Sequence, residues 1–118
     1  MIFIKNAWYV AAESHELTGN LLGRTICGDP IVVFRDSNGA PAALEDRCCH
    51  RHLPLSVGKR TGDTVQCGYH GLEFDKTGAC VSVPGQKRVP PNASVRPYPT
   101  VERYRYIWIW QTISNQYL

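Results

Sequence analysis

Cys48-Cys49-His50-Arg51-His52-Leu53-Pro54-Leu55-Ser56, followed by Cys67-Gly68-Tyr69-His70-Gly71-Leu72, is the part of the chain that organises the rest. Each segment offers a thiol and an imidazole at short spacing, Cys48-x-His50 in the first and Cys67-x-x-His70 in the second. A step of that length is a tight loop whose side chains diverge. Residues 52–66 between the loops have room to fold back as a pair of strands, so that two loop tips meet over one site. Gly68 and Gly71 suit such tips, because glycine takes positive φ or admits another backbone without strain. Donors in two Cys/His pairs also describe a structural zinc site, although zinc pairs are usually separated by about two to four residues and Cys48-x-His50 is tight for one tetrahedral ion. Cys49-x-x-His52 is a competing pair, and spacing alone leaves the register of the first loop open.

Arg47-Cys48-Cys49-His50-Arg51 with Leu53-Pro54-Leu55-Ser56, then Cys67-Gly68-Tyr69-His70-Gly71-Leu72-Glu73-Phe74-Asp75, resembles the Rieske domain of the non-haem iron ring-hydroxylating oxygenases. Within that family it is most similar to the vanillate O-demethylase oxygenase group, which includes phthalate- and dicamba-type enzymes. Lys5-Asn6-Ala7-Trp8-Tyr9-Val10-Ala11-Ala12 matches the opening of those subunits, and Val81-Ser82-Val83-Pro84-Gly85-Gln86 a later segment. The likeness runs from about Asn6 to Trp110. It implies a [2Fe–2S] cluster of Rieske type, in which two His replace two Cys on one iron. By position, Cys48 and Cys67 would hold the buried iron, and His50 and His70 the outer one, their imidazole edges forming the electron port. Cys49 and His52 would lie beside the cluster.

The mixed ligand set has an electrostatic consequence. Two thiolates and two neutral imidazoles leave the oxidised cluster roughly uncharged, whereas four thiolates would leave about two negative charges, so an electron is added more easily. Rieske potentials accordingly span about −150 to +300 mV, above the roughly −400 mV of all-Cys plant-type ferredoxins. High-potential relatives carry an extra disulfide-bonded Cys in each loop and a Ser hydroxyl on a sulfide. Leu53, Tyr69 and Leu72 occupy those places here, and the expectation is the low end of the range.

At 118 residues the chain is read as a single domain, 1–118, with a modest core that a bound cluster would reinforce. Cys27, Cys49 and Cys80 read as free thiols rather than a disulfide framework, which points to a reducing compartment and a cytoplasmic location. Ala7 to Ala12 is too short, and too closely flanked by Lys5 and Glu13, for a signal core or a membrane span. A net charge of +3 with scattered Lys and Arg argues against a nucleic-acid footprint. Arg47, Arg51, Lys59 and Arg60 gather near the first loop, either as ordinary solvated charge or as a docking rim for an acidic reductase or ferredoxin.

Strand signals dominate the rest. Ala7 to Ala12, Arg24 to Cys27, Ile31 to Phe34, Ala42 to Glu45, Thr64 to Gln66, Leu72 to Phe74 and Cys80 to Val83 are β-rich runs. Gly28-Asp29-Pro30, Asp36-Ser37-Asn38-Gly39 and Asp75-Lys76-Thr77-Gly78 punctuate them as turns. Only Glu13 to Leu22 has room for a helical turn. Pro84-Gly85 stands where Rieske proteins have a proline-containing cover loop. Pro90-Pro91, Pro97 and Pro99 mark an extended connection that cannot be a central strand. Tyr104, Tyr106, Trp108 and Trp110 alternate with Arg103, Arg105, Ile107 and Ile109, a period-two strand whose rings are expected in core or interdomain packing. His15 has no ligand-spaced partner and is expected on the surface. The expected class is all-β: a Rieske-type antiparallel sandwich or barrel with a small cluster-binding subdomain over about residues 46–86.

The family's catalytic domain binds a mononuclear iron through two His and a carboxylate. With four His in the chain and no Asp-x-x-His-x-x-x-x-His run, that facial triad cannot be assembled from these residues. The resemblance therefore implies the electron-carrying Rieske domain of an aromatic-compound oxygenase or O-demethylase, truncated before its catalytic domain. It would be reduced by an NAD(P)H-dependent flavin or ferredoxin reductase and would pass electrons to a non-haem iron domain. A free-standing Rieske ferredoxin and a zinc-stabilised binding module are the alternatives.

Overall fold

The structure is a computed structural model that describes residues 3–49, 53–68, 71–89 and 93–112. Among these residues the elements are β1 (Ala7–Glu13), β2 (Leu22–Ile26), β3 (Asp29–Arg35), β4 (Pro41–Glu45), β5 (Lys59–Thr61), β6 (Thr64–Gln66), β7 (Glu73–Phe74), β8 (Cys80–Ser82), β9 (Pro97–Tyr98), β10 (Thr100–Arg103) and β11 (Tyr106–Gln111), with short 3-10 turns at Ser14–Glu16 and Leu55–Val57. The all-β expectation holds and the turn foreseen within Glu13 to Leu22 is the 3-10 turn Ser14–Glu16, but a second 3-10 turn at Leu55–Val57, following Pro54, was not foreseen. Pairing is antiparallel throughout, in three sheets ordered β1-β11-β10, β2-β3-β4-β9 and β5-β6-β7-β8.

The unbroken apolar run of β3 explains how the sheets stack. Ile31, Val32, Val33 and Phe34 are all fully buried, which a half-solvated strand would not allow. Side chains alternate across a strand, and here both faces are covered. Val32 and Phe34 join Ala42, Leu44, Leu55, Val65 and Phe74 in one core, against the β5–β8 sheet. Ile31 and Val33 join Ala43, Tyr98, Ile107 and Ile109 in a second core, against the β1-β11-β10 sheet. The β2-β3-β4-β9 sheet is thus a middle layer shared by two cores.

Turn chemistry sets the registers. The β2–β3 hairpin turns at Cys27-Gly28, both at positive φ (54° and 79°), the geometry that matches strand twist in two-residue hairpins. The strand restarts earlier than the turn signal suggested, since Asp29 and Pro30 already pair with Ile26 and Thr25. In the β3–β4 turn the Asp36 carboxylate accepts from the N–H groups of Asn38 and Ala40, each at 2.9 Å. Asp75 does the same in the β7–β8 turn, accepting from Thr77 N–H at 2.9 Å. Pro97 sits in β9, at the edge of its sheet, where a missing N–H is tolerated.

β11 corrects one expectation. Tyr104 and Arg105 are not strand but turn, at φ 58° and 68°. From Tyr106 onward the aliphatic face points inward, with Ile107 and Ile109 fully buried. The aromatic face points outward, where Trp8 packs edge-on against Trp110 at 5.4 Å and Tyr106 against Trp108 at 6.2 Å. Ile107 and Ile109 share the inter-sheet core with Tyr98 of β9, while the rings of β1 and β11 take the opposite face of their sheet.

Candidate metal centre

The first loop leaves β4 at Glu45 and returns through the 3-10 turn Leu55–Val57; the second leaves β6 at Gln66 and enters β7 at Glu73. Each is closed by the same bond: Cys48 N–H donates to the Leu53 carbonyl at 2.7 Å, and Cys67 N–H to the Leu72 carbonyl at 2.7 Å. Leu72 is buried beside both cysteines, and Leu53 packs against the same core. The loops are therefore two copies of one device, a Cys-x-x-x-x-Leu ring whose sequence holds His50 and His52 in the first copy and His70 in the second. Reading Cys48–Leu53 above Cys67–Leu72 makes the repeat visible in sequence, a signal that pairwise Cys/His spacing passes over.

Close backbone contact brings the two rings together. A Cβ on Gly58, just after the first loop, would lie 1.9 Å from the Gln66 carbonyl oxygen and 3.2 Å from the Gly68 nitrogen. Only glycine permits the exit of one loop to rest on the entry of the other. Gly71 (φ 75°) faces Pro84, whose Cγ would be 3.0 Å from an added Cβ, so the Pro84-Gly85 turn packs against the second loop. The Gln66 side-chain amide reaches the Gly71 carbonyl at 3.4 Å.

Cys48 and Cys67 are 1% and 2% exposed and belong to one apolar cluster. The thiolate is the metal-ligating form of cysteine, and two cysteines in one apolar cluster make a donor pair suited to a metal. Cys49 is exposed. Partial desolvation pushes its thiol up, opposed by hydrogen bonds from its own backbone, from Cys48 and from the Ser94 backbone, while Cys67 adds to the rise. Cys49 thus sits beside the buried pair rather than within it. Cys80 is buried, also pushed up by burial, and its Sγ lies 3.6 Å from the Ser82 carbonyl; Cys27 is half-buried in its turn. His50, His52 and His70 lie outside the described residues, as do Arg51, Tyr69, Pro90 and Pro91. His15 is on the surface, its side chain 78% exposed.

An open cleft of about 400 Å³ borders Cys67, lined also by Val57, Gly58, Lys59, Gln66, Gly68 and Gly71. Of the basic residues gathered here in sequence, Lys59 stands on the cleft rim. Arg47 lies 3.8 Å from Glu45, and Arg60 turns away to the carbonyls of Arg35 and Gly62 at 3.2 and 3.0 Å.

Comparison with known proteins agrees with this arrangement. A family model described as the Rieske [2Fe-2S] domain matches residues 7–99. The chain is 49% identical over 110 residues to the toluene-4-sulfonate monooxygenase system iron-sulfur subunit of Comamonas testosteroni, covering 92% of this chain and 32% of that protein. It is 50% identical over 111 residues to the dicamba O-demethylase oxygenase component of Stenotrophomonas maltophilia (93% and 33%), and 45% identical over 109 residues to a vanillate O-demethylase oxygenase subunit of a Pseudomonas species (92% and 30%). The crystal structure of apo dicamba monooxygenase superposes with a TM-score of 0.90 at 47% identity, covering 94% of this chain and 35% of that one. The chain spans about a third of the length of these relatives. No helix among the described residues is long and apolar enough to cross a membrane.

Proposed function

Because the chain belongs to the Rieske [2Fe-2S] domain family, whose cofactor is a Rieske-type [2Fe–2S] cluster, we propose that Cys48, His50, Cys67 and His70 hold that cluster and that the chain carries one electron at a time. The observation that carries this is the pair of identically closed rings, each placing its cysteine in one shared core. When bound, the cluster supplies a one-electron acceptor of nearly neutral oxidised charge. The chain's own residues supply the rest. Cys48 and Cys67 provide thiolates from the buried side. Leu53 and Leu72 close the rings and keep water from them, and Pro84 braces the second ring through Gly71. The buried depth of Cys48 beside the exposed Cys49 supports the Cys48/His50 register over Cys49/His52.

The kinship with oxygenase components supports a place in such a system: electrons arrive from an NAD(P)H-dependent flavin or ferredoxin reductase and leave for a mononuclear non-haem iron domain that oxidises an aromatic compound. Cys27, Cys49, Cys67 and Cys80 form no disulfide, which supports a reducing, cytoplasmic setting. The test is EPR of the dithionite-reduced protein with iron and zinc measured on the same sample. A rhombic signal whose average g lies below that of all-Cys [2Fe–2S] proteins, with iron in place of zinc, is the expected result. A silent spectrum with stoichiometric zinc overturns it.

A further inference from the structure

Asp46 leads from β4 into the first ring, and Ser56 lies in the 3-10 turn that leaves it. Ser56 donates twice to the Asp46 carboxylate, from its backbone N–H to Oδ1 at 2.7 Å and from its hydroxyl to Oδ2 at 2.6 Å. The entry and exit of the Cys48–Leu53 ring are thereby tied to each other. The Asp46 N–H donates to the Pro30 carbonyl at 2.9 Å, which anchors the same point to β3. β2 closes over the pair: a Cβ on Gly23 would lie 3.0 Å from Ser56 Oγ and 3.3 Å from Asp46 Oδ2. Asp46 is 9% exposed, and among the described residues no Lys or Arg pairs with it. Its acceptors are satisfied by hydrogen bonds and not by a counter-charge, so its field reaches the ring two residues on with little screening.

We infer that Asp46 is a positioning residue that latches the first ring through Ser56 and biases the bound cluster against reduction. This rests on the reading that Cys48 and His50 are cluster ligands. Two variants separate latch from field. Asp46→Asn keeps the shape and removes the charge. Ser56→Ala keeps the charge and removes the hydroxyl bond.

The experiment measures the midpoint potential, and the rate of iron loss to a ferrous chelator, in the cluster-containing full chain. Asp46→Asn is expected to shift the one-electron equilibrium about tenfold toward reduction, equivalent to 59 mV. Ser56→Ala is expected to lose iron several-fold faster without a rise in potential. Glu45→Gln, which removes from the neighbouring residue a carboxylate that faces Arg47 at 3.8 Å, is expected to leave both readings unchanged. An equal rise in Glu45→Gln, or wild-type potential and iron retention in both latch variants, overturns the inference. If Asp46→Asn fails to fold, an unchanged iron-loss rate in Ser56→Ala overturns it alone. A wild-type chain with no [2Fe–2S] EPR signal sinks the proposed function itself, and the inference with it.

Discussion

Neighbouring cysteines in this chain have opposite surroundings. Cys48 is buried in the core and Cys49 is exposed beside it. Cys48→Ser and Cys67→Ser should each abolish the iron content and the EPR signal, while Cys49→Ser should retain both. Retention after Cys48→Ser with loss after Cys49→Ser would move the ligand register by one residue. Gly58 has an equally local role. Its Cβ would have to displace the Gln66 backbone from 1.9 Å, so Gly58→Ala should destabilise the fold by about 3 kcal/mol or more, read by denaturant unfolding, and should speed iron loss because Gln66 precedes Cys67. The proposed ligands come from the oxygenase resemblance, since Cys/His spacing alone leaves the first loop's register open. The glycine that joins their loops is not, because nothing in the sequence says which backbone Gly58 meets.

Among the elements, β11 shows how a sheet face is chosen. Ile107 and Ile109 are fully buried while Trp8 on the paired strand is 45% exposed. Ile109→Ala should therefore cost about 2–5 kcal/mol, and Trp8→Ala much less, although Trp carries the larger apolar area. Equal losses in chemical denaturation would place the aromatic face in the core after all. Between layers, Arg35 of β3 forks onto Glu102 of β10 at 2.8 and 2.7 Å, linking the middle sheet to the outer one. This partner holds the Glu102 carboxyl down, from an ordinary value near 4.5 to about 2. A depressed folded-state value stabilises above the unfolded value and is lost as pH falls from about 4.5 through 2. Glu102→Gln should thus lower stability by about 1–2 kcal/mol at pH 7 and by little near pH 2; a pH-independent difference would detach the pair from stability.

For the whole molecule, the layers place the metal-binding sheet on one side of the shared middle sheet and the aromatic face on the far side of the other. Cys48 and Cys67 and the exposed Trp8 therefore belong to different sheets' surroundings, on opposite sides of the middle layer. The potential belongs to this scale, since it sums ligands, burial and fixed charge. Leu53 and Leu72 stand where high-potential relatives carry other groups, and both serve ring closure through their carbonyls. The midpoint should lie at the low end of the range of about −150 to +300 mV. A clearly positive value in a redox titration would show that ring geometry outweighs these substitutions.

The sequence by itself determined the class of the fold and most strand positions, because turn residues and β-branched runs act locally, and it narrowed the candidate donors to two Cys/His loops. Asp36–Gly39 and Asp75–Gly78 were readable as turns since each aspartate caps its own backbone. Tertiary structure alone decided which face of β11 is inside, that β3 is covered on both faces, where Arg60 points, and that Ser56 latches Asp46. Each of these depends on residues far apart in the chain meeting at van der Waals or hydrogen-bond distance. Which of two chemically acceptable faces or partners wins is then set by the space left between packed sheets, and local spacing carries no record of that space.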